Sequence, residues 1–173
     1  MIRYFLDPPA LPSIDLKFER KTDGASGYDL MANISMPRVI SPGKRWFCST
    51  GLYLSMPNGI EAQVRTRSGL ARDHGVIVLN APGTVDADYR GEVMATLINL
   101  GEAAVTINPG DRVAQLVFAP VAGILLNGGD QVWTGLAVVK APIRVSSREE
   151  LGNTERGISG HGSTGGNPVR SAE

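Results

Sequence analysis

Apolar and polar positions alternate over short runs along most of this chain, and glycine or proline ends each run before a helical period can develop. Period-two alternation and β-branched or aromatic residues predict strands over residues 2–6, 28–32, 45–55, 59–66, 76–79, 92–100, 104–107, 112–119 and 131–139. Turn signals separate them: Asn58-Gly59, Pro82-Gly83, Asn108-Pro109-Gly110-Asp111 and Asn127-Gly128-Gly129-Asp130. Many short strands with frequent Gly/Pro turns make the fold class all-β, a sandwich or a barrel. Helix is scarce. One turn of it is expected at residues 68–73. Another is expected to begin at Ser147, which stands at capping-box spacing from Glu150.

Residues 80–93, Asn-Ala-Pro-Gly-Thr-Val-Asp-Ala-Asp-Tyr-Arg-Gly-Glu-Val, lie between two of these apolar runs. The segment reads as a tight β-hairpin or β-arch that gathers the amide of Asn80, the carboxylate of Asp86 and the hydroxyl of Tyr89 within a few ångströms. Backbone groups left unpaired near its tip can read the edge of a planar base. A solvated hairpin, with Asp and Tyr satisfying turn chemistry, is the plainer alternative.

Composition narrows the classes. At 173 residues the chain suits one domain. Lys plus Arg equals Asp plus Glu, 17 each, so no global field draws in nucleic acid or an anionic membrane. The single cysteine, Cys48, lies in an apolar run and suits a core position in a reducing compartment. No leader pattern or membrane-length apolar run is visible, so a soluble, cytoplasmic protein is expected. Residues 1–151 form the expected barrel domain. Residues 152–173 hold six glycines and no apolar periodicity, as a flexible C-terminal arm would.

Four further segments differ from ordinary strand and turn material. Gly24-Ala-Ser-Gly-Tyr-Asp-Leu30 is a small-residue turn that enters a strand with an acid near its start. Arg65-Thr-Arg-Ser-Gly-Leu-Ala71 sets a guanidinium and a hydroxyl before a possible helix start, which suits an anion. Gly110-Asp-Arg-Val-Ala-Gln-Leu116 places the amide of Gln115 in an apolar strand. Arg156-Gly-Ile-Ser-Gly-His-Gly-Ser-Thr-Gly165 resembles a phosphate loop only loosely, because it lacks the lysine and the preceding strand. Taken singly, Arg-Ser-Gly reads as a surface turn and Gln115 as a satisfied buried amide.

In this order and spacing, residues 25–32, 67–71, 80–93, 110–116 and 156–165 resemble the five motifs of the trimeric dUTPase (deoxyuridine triphosphate nucleotidohydrolase) family. The resemblance covers about residues 10 to 120 and the tail. It implies a homotrimer of distorted jelly-roll-like β-barrels, with active sites where subunits meet. It also implies hydrolysis of dUTP to dUMP and pyrophosphate with Mg²⁺, which supplies dUMP for dTMP synthesis and limits uracil in DNA. Asp86 would be the base that activates a water, and Gln115 would position that water. Arg67, Ser68 and Gly69 would hold the phosphates, and Arg156, Ser163 and Thr164 would grip the terminal one. Asn80 and the hairpin backbone would pair with uracil, and Tyr89 would lie under the deoxyribose and exclude a 2′-hydroxyl. Asp29 would reach the metal through water, with no direct protein ligand.

Two positions depart from the family pattern. His161 stands where most members carry Phe; its ring can still stack on the base, and its charge brings a pH dependence. Ser159 replaces a glycine, which stiffens the tail. His74 reads as a turn residue. Residues 121–140 are read as an extra hairpin anchored by Trp133, packing on the barrel or the trimer. Two other activities fit the residues less well. A dCTP deaminase would need a glutamate and a differently built hairpin, whereas Thr84-Val-Asp-Ala-Asp-Tyr89 follows the hydrolase pattern. A regulator acting through the extra hairpin would not need the complete set of catalytic residues.

Overall fold

The computed structural model describes residues 1–121 and 142–159. Eleven strands are seen there: β1 (Arg3–Leu6), β2 (Tyr28–Met31), β3 (Arg38–Ile40), β4 (Arg45–Ser55), β5 (Ile60–Arg65), β6 (Val76–Val78), β7 (Gly83–Val85), β8 (Glu92–Asn99), β9 (Val105–Ile107), β10 (Arg112–Pro120) and β11 (Ile143–Arg144). One short helix, α1 (Ser68–His74), precedes β6, and a 3₁₀ turn covers Glu149–Leu151. The strands form a five-stranded sheet ordered β11-β1-β4-β8-β6, a four-stranded sheet ordered β2-β10-β5-β7, and the pair β3-β9. Hydrogen bonding is divided among three sheets and does not run continuously around a cylinder, in keeping with the distorted jelly-roll-like form expected.

Alternation decides which face each strand buries. On β5, Ala62 and Val64 are buried while Glu61, Gln63 and Arg65 turn outward. Both large sheets contribute to one apolar cluster: Leu52, Leu54, Val93 and Leu97 from the first, and Leu30, Val64, Val113 and Leu116 from the second. Cys48 is fully buried in it, as expected. The long central strand β4 breaks register between Cys48 and Leu52, where Gly51 has φ 67°. One carboxylate oxygen of Glu92 repairs the break by accepting from Ser49 Oγ (2.5 Å), Thr50 N (2.9 Å) and Gly51 N (2.8 Å).

Three strands went unread in the sequence. β3 has three residues, β7 has three and begins on the glycine of a turn signal, and β11 has two. Each is held by its neighbours rather than by its own pattern. The expected strand at 131–139 lies outside the described residues, as do Trp133 and nearly all of the expected extra hairpin. The turn expected at 68–73 is α1, with His74 as its last residue, and Gly75 closes it in the left-handed conformation at φ 66°. The capping box at Ser147 does not form. Arg148 takes the N-cap position without a side-chain bond, and Glu150 reaches back to the N–H of Ser146 at 3.0 Å.

The chain after β11 is fastened to the start of the molecule. Arg148 donates to both oxygens of Asp7, at 2.6 and 2.7 Å, and lies 3.9 Å over the ring of Tyr53. Leu151 is buried. Among the described residues, no helix is long and apolar enough to cross a membrane.

Candidate active site

Register across the second sheet assembles the first group of candidate residues. Asp29 on β2 pairs with Gln115 on β10, and Gln115 pairs with Arg65 on β5. Two residues beyond Arg65, Arg67 takes an extended conformation and caps α1, which turns its guanidinium back toward β2. Its Nε donates to Asp29 Oδ1 at 3.1 Å and its Nη1 to the carbonyl of Arg112 at 2.9 Å. Arg112 Nη1 donates to the other oxygen of Asp29 at 3.3 Å. Gln115 donates its amide to the Thr66 carbonyl at 3.0 Å.

These residues line an open cleft of about 310 Å³, together with Lys21, Ser26, Gly27, Ser68 and Gly69. Lys21, Arg67 and Arg112 set three cations against the single carboxylate of Asp29. Among the described residues Lys21 has no hydrogen-bond or ion-pair partner, so its charge is free to meet an incoming anion. Arg67 provides no side-chain bond to the first turn of α1, which leaves backbone donors available beside the cleft. With only seven residues, α1 has little dipole to offer, and the cations dominate the attraction.

The second group lies elsewhere. Between β6 and β8 the chain leaves the first sheet, passes a cis Ala81–Pro82 bond, and pairs β7 against β5 in the other sheet. This excursion between sheets is the arch rather than the hairpin of the two forms expected, and it corrects the expectation that all three side chains cluster. Asn80 and Asp86 flank β7 at opposite ends, separated by about 10 Å of strand. Asp86 and Tyr89 do share a turn, closed by Tyr89 N to the Asp86 carbonyl at 3.1 Å. The Tyr89 hydroxyl donates to the Glu92 carbonyl at 3.0 Å. Burial, then the nearby Glu92 carboxylate, pushes its ionisation above the usual tyrosine range.

The root of the arm docks on this turn. Arg156 forms an ion pair with Asp86 and sits 5.8 Å from the centre of the Tyr89 ring. Thr154 Oγ1 donates to the Asp88 carbonyl, and Arg90 N donates to the Gly157 carbonyl at 2.7 Å. His161, Ser163 and Thr164 lie outside the described residues. Ser159 is exposed, and its carbonyl accepts from Arg156 Nε at 3.2 Å.

The two groups do not meet within one chain. Asp86 follows the Val85–Ala62 pair, and Gln115 pairs with Arg65, so they are two strands and four residues apart on the sheet, about 16 Å. No cluster of three or more metal-binding side chains occurs among the described residues, and both oxygens of Asp29 face arginines. With both oxygens so engaged, Asp29 would reach a divalent ion through water rather than ligate it directly. Sequence reasoning missed Arg112, Lys21 and Arg90 as site residues. Arg112 and Arg90 lay inside motifs already singled out, and only the register shift at Arg112 shows that it reaches Asp29.

The chain is thus an all-β protein with an open cationic cleft at one edge of its second sheet and a separate carboxylate–tyrosine turn. The family model described as dUTPase matches residues 16–134. The chain is 48% identical over 147 residues to a deoxyuridine 5'-triphosphate nucleotidohydrolase of Chlamydia trachomatis, covering 85% of this chain and 89% of the relative. It is 46% identical over 147 residues to the protein of that name from Treponema denticola, with the same coverage. Among solved structures, the dUTPase of Streptococcus mutans superposes with TM-score 0.58 and 28% identity, over 68% of this chain and 94% of the other. A dUTPase from phage phi11 of S. aureus, whose structure details coordination of a structural Mg(II) ion, gives TM-score 0.59 at 20% identity, over 70% and 91%. The chain belongs to the dUTPase family.

Proposed function

We propose that this protein is a dUTP diphosphatase that hydrolyses dUTP to dUMP and pyrophosphate, acting as a homotrimer in the cytoplasm. The observation that carries the reading is the cationic cleft around Asp29 and Gln115, set apart from the Asp86–Tyr89 turn. Lys21, Arg112 and Arg67, with Ser68 and the Gly69 N–H, receive the triphosphate. Gln115 orients a water toward the α-phosphorus, and Asp86 takes its proton. Asp29 would hold Mg²⁺ through water beside the phosphates, and the ion would supply neutralisation of the charge that develops there. The Tyr89 ring supports the deoxyribose, and Asn80 with the backbone before β7 reads uracil.

Because the two groups stand apart on one chain, the working site joins the cleft of one copy to the Asp86–Tyr89 turn of another, which a closed cyclic assembly provides. His161 stacks on the uracil, and Ser163 and Thr164 bind the terminal phosphate.

Pyrophosphate release, with Mg²⁺, from dUTP, dTTP, dCTP and UTP tests this directly. Turnover of dUTP alone is expected. A folded, metal-supplied protein that leaves dUTP intact would overturn the reading, and ammonia release from dCTP would replace it with deamination.

A further inference from the structure

Two glycines stand where a β-carbon would collide with a side chain assigned above to the reaction. A Cβ on Gly27 would overlap Oε1 of Gln115 and lie 3.2 Å from its Cδ. One on Gly91 would overlap the Tyr89 hydroxyl and lie 2.5 Å from Cζ and 2.8 Å from Cε2. Neither glycine is among those with positive φ, so an alanine would meet no left-handed backbone strain at either position. The contrast with Gly75 is instructive. There φ is 66° and the added carbon would meet the backbone nitrogen of Gly101 at 2.5 Å, atoms that cannot swing aside.

At Gly27 and Gly91 the obstructing atoms are the ends of side chains, which can move. An alanine there would be accommodated by displacing Gln115 from the Thr66 carbonyl, or Tyr89 from the Glu92 carbonyl, with the strands left in place. The cost would fall on the site rather than on the fold. Gly83 shows a milder form: its added Cβ would lie 3.0 Å from Nδ2 of Asn80.

We propose that Gly27 and Gly91 are positioning residues, each an empty seat that lets one functional side chain fold back over the main chain: Gln115 for the attacking water, Tyr89 for the sugar. The proposal rests on the reading of the site as a dUTP diphosphatase.

Gly27→Ala should lower kcat on dUTP roughly tenfold to a hundredfold, the scale of a misplacement near 1 Å, with KM and Tm little changed. Introduced into a Gln115→Ala background, it should add nothing further. Gly91→Ala should raise turnover of UTP relative to dUTP, and that shift should vanish in a Tyr89→Ala background. Wild-type kcat and the wild-type dUTP/UTP ratio in both folded variants would overturn the proposal. So would losses that multiply with those of Gln115→Ala or Tyr89→Ala. Should Gly27→Ala fail to fold, a folded Gly27→Ala/Gln115→Ala protein would still support the collision, and failure of both would refute it. The ¹⁵N side-chain amide signal of Gln115 reads displacement without any turnover. Wild-type protein inactive on dUTP therefore counts against the functional reading, while a shifted or unshifted signal still decides this proposal.

Discussion

Asp86 has a cation for company before any substrate arrives, since Arg156 closes on it from the root of the arm. Asp86→Asn keeps the shape and one acceptor for that guanidinium but removes the basic oxygen. Turnover is expected to fall roughly 10²–10⁴-fold while equilibrium binding of dUTP, followed by calorimetry, stays near wild type. Wild-type turnover by this variant would remove Asp86 as the base. Two buried acids away from the site set a separate property. Burial pushes the Cys48 thiol up to about 12, and burial with Glu92 and Asp7 nearby pushes the Tyr53 hydroxyl to about 12. The unfolded chain ionises both at lower pH, so it binds fewer protons than the folded one in alkaline solution. Stability is therefore full below about pH 9 and declines toward pH 12, seen as a falling denaturation midpoint. A flat midpoint across that window would contradict these ionisations.

The central strand β4 depends on a contact that strand propensity does not encode. Three donors at its register break converge on one oxygen of Glu92. Glu92→Ala leaves them without that acceptor and should cost about 1–3 kcal/mol of unfolding free energy, with Glu92→Gln less damaging, measured by urea titration. An unchanged urea midpoint for Glu92→Ala would show that water serves the bulge equally well. Long elements were legible for the opposite reason. β4, β8 and β10 carry their own alternation, so their bounds follow from the order of Val, Ile, Leu and aromatic residues. β7 does not. It begins on Gly83, inside what reads as a turn, and is a strand because β5 offers it Ala62, Gln63 and Val64. That one pairing decides between the hairpin and the arch expected at residues 80–93, in favour of the arch.

Across the molecule, motif order named the candidate residues and the resemblance implied sites shared between subunits, but the distance between Gln115 and Asp86 within one chain was not legible. Motif spacing along the chain says nothing of the two strands and four residues that divide Gln115 from Asp86; that distance is a property of sheet order. Arg112 shows the same limit, since its reach to Asp29 depends on a register shift between β2 and β10. The separation makes a prediction about mixtures. Asp86→Asn and Gln115→Ala proteins, each with strongly reduced turnover, should recover activity after subunit exchange, with about a quarter of sites complete in a random one-to-one mixture if each site takes these residues from different copies. Continued silence of a mixture shown by mass spectrometry to contain hybrid assemblies would mean that one chain supplies both.

The clasp between Arg148 and Asp7 joins residues 141 positions apart, and β11 lies parallel to β1 beside it. A growing polypeptide therefore emerges with one edge of its first strand bare. That edge waits through the synthesis of nearly everything else. Such distant pairings are slow to find, because a long loop must close before any contact rewards it. Completion of the sheet therefore comes late. A nascent chain without its last thirty or so residues would carry the cleft and the Asp86 turn, yet leave β1 open to pairing with a neighbour.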